Sequence, residues 1–307
     1  MTKNAPPLSM PLSSQKPIAM TARPVVELTR RELMERSQTF LHRNGRPPGL
    51  AVVLVGDNPA SVIYTSRKSD LAKELGIHAE TLKFEASASP SEVQAGILRL
   101  NQREDIDGIL LQRPLPKNFH EAEAITWIAP DKDVDAFHPL HVGALVLGLP
   151  CFVPCTPLGI LKLLQHYQVS LRGKVACIVG RSALVGKPMA ALLLREDATV
   201  VHCHSKTQDL KSMTQQADIL IVAAGSQGLI HPEHIKEGAV VVDVGIHRTM
   251  DGKITGDVDQ VEVLAKAHVH AMTPVPGGVG PMTILSLMSN TIEAAERRSE
   301  GRRFFNL

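Results

Sequence analysis

Three places in the 307-residue sequence combine residue types and spacings that can do chemistry. Tyr64 and Lys68 are four apart in a stretch that reads as helix, so they share one face. An ammonium beside a phenol can give and take protons if burial lowers its pKa, although such a pair is also ordinary content for a solvated helix face. Gln112 closes an apolar run directly before Pro-Leu-Pro, and strand C-terminal ends are where open α/β sheets place ligands. A neutral amide there can hold a lysine without keeping it charged. The second place is Gly180-Arg-Ser-Ala-Leu-Val-Gly186, between an apolar run and a helical stretch. Backbone N–H groups and the helix dipole make such a turn a phosphate site, but the spacing is not G-x-G-x-x-G, and tight-turn glycines look the same. The third is Pro274-Val-Pro-Gly-Gly-Val-Gly-Pro281, too dense in Gly and Pro for regular structure. It either lets backbone approach a ligand closely or serves as a tight connector.

The end of the second strand in a dinucleotide fold selects the cofactor. An acid there binds the ribose 2′-OH of NAD, whereas basic and hydroxyl groups accept the 2′-phosphate of NADP. This chain has His204-Ser-Lys-Thr207 at that place and no acid, with Arg181 in the first turn. NADP is the expected cofactor, with a merely solvated loop as the other reading of Ser205 and Lys206.

Asp131, Asp133 and Asp135 alternate and resemble the opening of a calcium loop. Ala136 at the turn position and Val142 at the twelfth argue against calcium. Asp135 can instead accept hydrogen bonds from a guanidine-like or amide-rich ligand edge. His202 with His204, and His231 with His234, lack a converging third ligand in the sequence and read as structural or surface histidines. Cys151 and Cys155 are four apart with no second pair at zinc-ligand spacing, so no metal is expected.

These side chains need a frame. A helix is expected over residues 23–43, a buried strand over 50–55, and a helix capped by Ser61 and closed by Gly76. A strand near 78–84, a helix over 90–101 and a strand at 107–112 follow. The alternation implies helices covering a mostly parallel sheet. Residues 131–157 are turn-rich and mark a domain boundary, and a helix over 158–167 leads onward. The second unit begins with a strand at 174–179 and a helix from Pro188 to Arg195. Strands at 199–202, 218–223, 239–244 and near 268–272 follow, with a helix near 208–216 and a last helix over 283–298. The fold class is therefore α/β with two α/β domains, the second a Rossmann-like unit.

Bulk composition is consistent with this. The chain is 44% hydrophobic and 21% charged, but only 3% aromatic, with Trp127 its single tryptophan. Its core must be aliphatic, which suits buried parallel strands. A net charge of +2 and the lack of a long basic run give no reason to expect nucleic acid. No apolar run reaches the roughly 20 residues of a membrane span. The opening MTKNAPPLSMPLSSQKPIAM lacks the apolar stretch of a signal peptide and reads as a flexible tail, residues 1–20, of a cytoplasmic protein.

The motifs taken together are more specific than any one of them. VGDNPAS with Tyr64 and Lys68, then GILLQRPLP, PDKDVDAFHP, PCTP, VGRSALVGKPM, HSKT, DVGIHR and PVPGGVGPMT occur in one order. In this the chain resembles the bifunctional methylenetetrahydrofolate dehydrogenase/methenyltetrahydrofolate cyclohydrolase family over about residues 45–297. The resemblance implies a folate-binding catalytic domain at 21–155, completed by a C-terminal helix at 283–300. It also implies an NADP-binding domain at 156–278 and an active-site cleft between the two. It makes Lys68 the acid/base lysine of cyclohydrolysis, helped by Gln112, with Tyr64 stacking on the folate and Asp135 binding the pterin. Pro276, Gly277 and Gly278 would line the folate pocket. Gly180, Arg181, Ser182, Ser205 and Ile246 would contact NADP. The implied partner is a small folate substrate, and the implied assembly is a homodimer.

Several residues depart from the family pattern. Arg113 replaces the leucine of QLPLP, Ala136 the glycine of DVDG, and His141 and Ala144 an Asn and an Arg. The usual Asp-Gly-Lys start is also missing. These changes lie on the folate side. They leave open a dehydrogenase with weak or absent cyclohydrolase activity, and a non-catalytic NADP- or folate-binding protein.

Overall fold

The computed structural model describes residues 16–305; residues 1–15 and 306–307, and the side chain of Ala60, lie outside the described residues. The chain divides into two compact units. One comprises residues 27–155 and 284–307, the other residues up to 26 together with 156–283.

The chain begins with β1 (Ile18–Ala19) and α1 (Arg23–Asn44), then alternates through β2 (Gly49–Val55), α2 (Pro59–Glu74), β3 (His78–Phe84), α3 (Pro90–Gln102) and β4 (Gly108–Leu111). The strands β3-β2-β4 form a three-stranded parallel sheet. Central β2 is buried along its whole length, so its continuous apolar run has no polar face to spare. Its first residue must be glycine: a Cβ on Gly49 would meet the Asp105 carbonyl oxygen at 1.9 Å. Helix α3 starts with a capping box, in which Ser89 and Glu92 satisfy each other's backbone N–H groups. The apolar side of this unit gathers Ala51, Val53, Ile97, Ile109 and Trp127. Asp107, fully buried, accepts from Arg46 (2.7 and 2.9 Å), Arg298 (2.6 Å) and the Gly49 N–H (2.9 Å), tying both ends of the unit's chain to its sheet.

After β4 come the short α4 (Glu121–Ala124) and α5 (Pro139–Val146), and then α6 (Cys155–His166) opens the second unit's long stretch. There follow β5 (Val175–Val179), α7 (Gly186–Arg195), β6 (Thr199–Cys203), α8 (Leu210–Thr214), β7 (Ile219–Val222) and β8 (Val240–Asp243). The hairpin of β9 (His247–Arg248) and β10 (Ile254–Thr255), then α9 (Gln260–Lys266), β11 (Ala271–Met272) and α10 (Val279–Ser299) complete the chain. The unit's sheet is six-stranded and parallel, in the order β1-β11-β8-β7-β5-β6. The chain leaves β5 for β6 on one side and later returns to β7 on the other. The end of β5 is therefore the switch point at which open α/β sheets bind ligands.

The structure differs from five expectations. Residues 18–20 are not part of a flexible tail, because β1 pairs with β11 and Met20 is fully buried; the expectation for residues 1–15 lies outside the described residues. Residues 16–26 also group with the six-stranded unit rather than with 27–155. Ser61 is not the cap of α2: its N–H is accepted by Asn58 Oδ1 at 3.2 Å, one turn earlier. The turn-rich 131–157 stretch contains a helix, α5, started by His138, whose Nδ1 accepts the Leu140 N–H. The last helix begins at Val279, inside the Gly/Pro segment, and the division between units falls within it, after Thr283.

Candidate active site

Helix α2 and the end of β4 bring together two residues 44 apart in sequence. Lys68 Nζ donates to Gln112 Oε1 at 2.7 Å. Gln112 Nε2 donates to the Arg113 carbonyl at 2.6 Å, which settles which end of the amide faces the lysine. Ser61 Oγ donates to the same carbonyl at 3.4 Å, so α2 also steadies the turn. Burial lowers the Lys68 pKa below its ordinary value. The Asp135 carboxylate and Cys155 oppose this, and the Arg113 guanidinium adds to it. A lysine held only by an amide and displaced toward neutrality has the chemistry of a general base. Tyr64, one turn earlier on α2, is 40% exposed.

Asp135 stands beside this pair, in a turn built by its neighbours. Asp133, buried, accepts the N–H groups of Ala136 (3.2 Å) and His138 (2.6 Å). Burial pushes its pKa up to about 7, against those backbone donors. Ala136 is forced to φ 63°, the left-handed region in which a Cβ costs about 1–2 kcal/mol, and this explains why glycine is the usual residue there. Cys155 lies buried against Asp135 and donates to the Val134 carbonyl at 3.5 Å. Asn290 of α10 donates to the carbonyls of Val134 (2.9 Å) and Val153 (3.1 Å). The three alternating carboxylates do not converge: Asp131 faces Arg303 (3.6 Å), Asp133 its own turn, and Asp135 Arg113 (3.8 Å). Sequence reading missed Cys155 and Asn290 as supports. The spacing of Cys155 from Cys151 speaks only to metal binding, and Asn290 carries no local signal.

The remaining departures are packed into the same unit. His141 is fully buried; its Nε2 bonds the Pro130 carbonyl at 2.8 Å and its Nδ1 accepts the Phe152 N–H at 3.2 Å. Burial pushes its pKa down to about 4. Ala144 is buried on α5, where an arginine would need a partner.

In the six-stranded unit, β5 ends at Val179, Gly180 follows it, and α7 begins at Gly186. A Cβ on Gly180 would meet the Ala223 carbonyl oxygen at 2.0 Å, and one on Gly186 the Gly180 carbonyl oxygen at 1.9 Å. Tight packing therefore accounts for both glycines, whatever the turn binds. Arg181 and Ser182 are exposed on the turn, and His202 Nε2 bonds the Gly180 carbonyl at 2.8 Å. The His204–Thr207 segment closes on itself: the His204 N–H donates to Thr207 Oγ1 (2.8 Å) and the Lys206 N–H to His204 Nδ1 (3.1 Å). Ser205 and Lys206 are left exposed. An arginine, hydroxyls, a lysine and no carboxylate at the end of β6 suit a phosphate monoester.

The loops after β7 and β8 are braced by two aspartates the sequence did not single out. Asp243 accepts the N–H groups of Gly245 (3.1 Å), Asp257 (2.9 Å) and Val258 (3.2 Å). Asp257 accepts those of Ala224 (2.7 Å) and Gly225 (2.9 Å) and bonds His247 at 2.7 Å. Ile246, between the braced positions, is 56% exposed. Pro276 and Gly277 are exposed and Gly278 is buried; the Gly277 carbonyl accepts the Ala22 N–H at 2.8 Å. His231 does acquire neighbours: ligand atoms of His231, Asp259 and Glu262 lie within 4.8 Å of one another. Asp259 also caps α9 through the Glu262 N–H, and Glu262 pairs with Lys266. Among the described residues, no helix is long and apolar enough to cross a membrane.

A parallel sheet with its switch point at a glycine turn, and no acid after the next strand, defines a Rossmann-like dinucleotide-binding unit; the chain's other α/β unit carries a lysine site. Residues 20–135 match the tetrahydrofolate dehydrogenase/cyclohydrolase catalytic domain, and residues 154–299 that family's NAD(P)-binding domain. The bifunctional protein FolD of Lysinibacillus sphaericus is 52% identical over 259 residues, covering 84% of this chain and 90% of that protein. The crystal structure of the bifunctional FolD dehydrogenase/cyclohydrolase from Campylobacter jejuni has a TM-score of 0.88 at 46% identity, covering 91% and 99% of the two chains. The Trypanosoma brucei enzyme, solved with NADP cofactor and an inhibitor, has a TM-score of 0.87 at 33% identity, covering 93% and 99%. The chain belongs to the tetrahydrofolate dehydrogenase/cyclohydrolase family.

Proposed function

We infer that this chain oxidises 5,10-methylenetetrahydrofolate to 5,10-methenyltetrahydrofolate with NADP+ and hydrolyses the product to 10-formyltetrahydrofolate. Membership of the bifunctional family supports both reactions. The observation that carries the hydrolytic half is the Lys68–Gln112 hydrogen bond, because it gives a lysine of lowered pKa a directed partner that is itself uncharged.

Gly180, Arg181, Ser182, Ser205 and Ile246 would hold NADP, with Arg181 and Ser205 on the 2′-phosphate. Bound NADP+ supplies the hydride acceptor, and the protein's task there is alignment. Tyr64 would stack on the folate, Asp135 would accept from the pterin's guanidine-like edge, and Pro276, Gly277 and Gly278 would line the folate pocket. In the hydrolysis, Lys68 as the amine takes a proton from the water that attacks the methenyl carbon. It then returns a proton to N5 as the C–N5 bond breaks, while the hydroxyl proton of the tetrahedral adduct leaves to solvent and the formyl group forms on N10. The folate-binding part would be residues 21–155 with the C-terminal helix. A homodimer in the cytoplasm completes the reading.

The test is a spectrophotometric assay of the purified protein with 5,10-methylenetetrahydrofolate and either NADP+ or NAD+, followed by decay of the methenyl product with and without protein. The expected result is NADP-dependent formation and protein-accelerated decay. No NADP-dependent oxidation would remove the reading; oxidation with decay at the uncatalysed rate would remove its hydrolytic half.

A further inference from the structure

Arg113 stands where its side chain meets Asp135. Its nearest guanidinium nitrogen lies 3.8 Å from Asp135 Oδ2, and the guanidinium carbon sits 4.2 Å from the centre of the Phe137 ring. Both charged side chains are mostly shielded, Arg113 at 18% and Asp135 at 22% exposure. The separation is longer than a charge-assisted hydrogen bond, which closes to about 2.7–2.9 Å, so the attraction is coulombic. The ring supplies a second hold on the cation. The Arg113 backbone is fixed independently, since its carbonyl accepts from Gln112 Nε2 and Ser61 Oγ. The side chain can therefore leave Asp135 without breaking the Lys68–Gln112 hydrogen bond.

A guanidinium is a planar fork of N–H donors, the same hydrogen-bonding face that a pterin's amino-pyrimidinone edge presents to a carboxylate. We propose that Arg113 is the resident occupant of the Asp135 carboxylate, a built-in mimic of the ligand's guanidine-like edge that the folate must displace to bind. The proposal rests on the reading that Asp135 binds the pterin. It makes Arg113 a determinant of folate affinity, because its guanidinium competes with the ligand for the carboxylate.

The experiment is a double-mutant cycle in the full-length protein, with affinity for 5-formyltetrahydrofolate read by calorimetry and KM for 5,10-methylenetetrahydrofolate read alongside kcat. Arg113→Leu removes the competitor and is expected to tighten folate binding about fivefold, the worth of a partly shielded ion pair, with KM falling in proportion. Asp135→Asn is expected to weaken binding, and Arg113→Leu in that background should change it little, because nothing remains to displace. Arg113→Met serves as a second variant should the leucine fail to fold. Unchanged or weaker binding in Arg113→Leu, or equal tightening in both backgrounds, overturns the proposal. Undiminished binding in Asp135→Asn removes the Asp135 reading itself, and the proposal with it.

Discussion

Lys68 Nζ lies 2.7 Å from Gln112 Oε1, and the amide that receives it is itself fixed by the Arg113 carbonyl. The lysine thus has a directed partner that contributes no charge. Lys68→Met is expected to lower methenyltetrahydrofolate hydrolysis by about a hundredfold or more, while calorimetry still shows NADP(H) binding. Gln112→Glu puts a carboxylate where the amide was and raises the Lys68 pKa. The amine form then becomes populated only at higher pH, so the hydrolysis profile should move toward alkaline pH. A profile that does not move would exclude Lys68 as the titrating base.

Arg181 is exposed on the turn after β5, and the end of β6 carries Ser205 and Lys206 without an acid. Arg181→Ala should weaken NADP binding about tenfold or more and leave NAD binding nearly unchanged, since only the 2′-phosphate is lost as a partner. Equal loss for both dinucleotides, measured by fluorescence titration, would move Arg181 off the 2′-phosphate.

His141 is buried neutral, with a pKa of about 4 against an ordinary value near 6.5. The unfolded chain binds the proton first as pH falls, so the contribution to stability is full above about 6.5 and is lost progressively toward 4. Between about pH 7 and pH 5 the loss amounts to roughly 2 kcal/mol. Asparagine offers an acceptor at the Nδ1 position for the Phe152 N–H and does not titrate. His141→Asn should therefore flatten this part of the pH dependence in urea denaturation. An unchanged difference between the two pH values would count against it.

Asp107 holds Arg46 and Arg298 from a fully buried position. Asp107→Ala leaves two arginines and the Gly49 N–H without their acceptor, and is expected to cost about 3–5 kcal/mol in chemical denaturation. A loss under about 1 kcal/mol would mean that the arginines find other partners.

Much of the frame was legible in the chain itself. Runs such as GLAVVLV and VACIV can only be buried strands, and Gly76 marks the end of α2 because its φ is 72°. Shorter elements were not. The two residues of β1 carry no pattern of their own and become a strand only by pairing with Ala271 and Met272. Helix α5 was hidden in a turn-rich stretch, and its start depends on the His138 ring accepting a backbone N–H. Among candidate site residues, Tyr64 and Lys68 could be placed on one helix face by spacing. What Lys68 faces could not, because Gln112 lies 44 residues away.

The sequence by itself determined the α/β alternation, the glycine turn and the missing acid after the second nucleotide-unit strand. These are local properties of backbone preference, side-chain period and residue type. The tertiary structure alone decided that Lys68 is held by an amide, that Asp135 is braced by Cys155 and faces Arg113, and that Asp243 and Asp257 pin the loops around Ile246. Those relationships depend on distances between residues far apart in the chain and on burial, which sets the pKa values. Neither is encoded in any one segment; both exist only once the sheets have assembled.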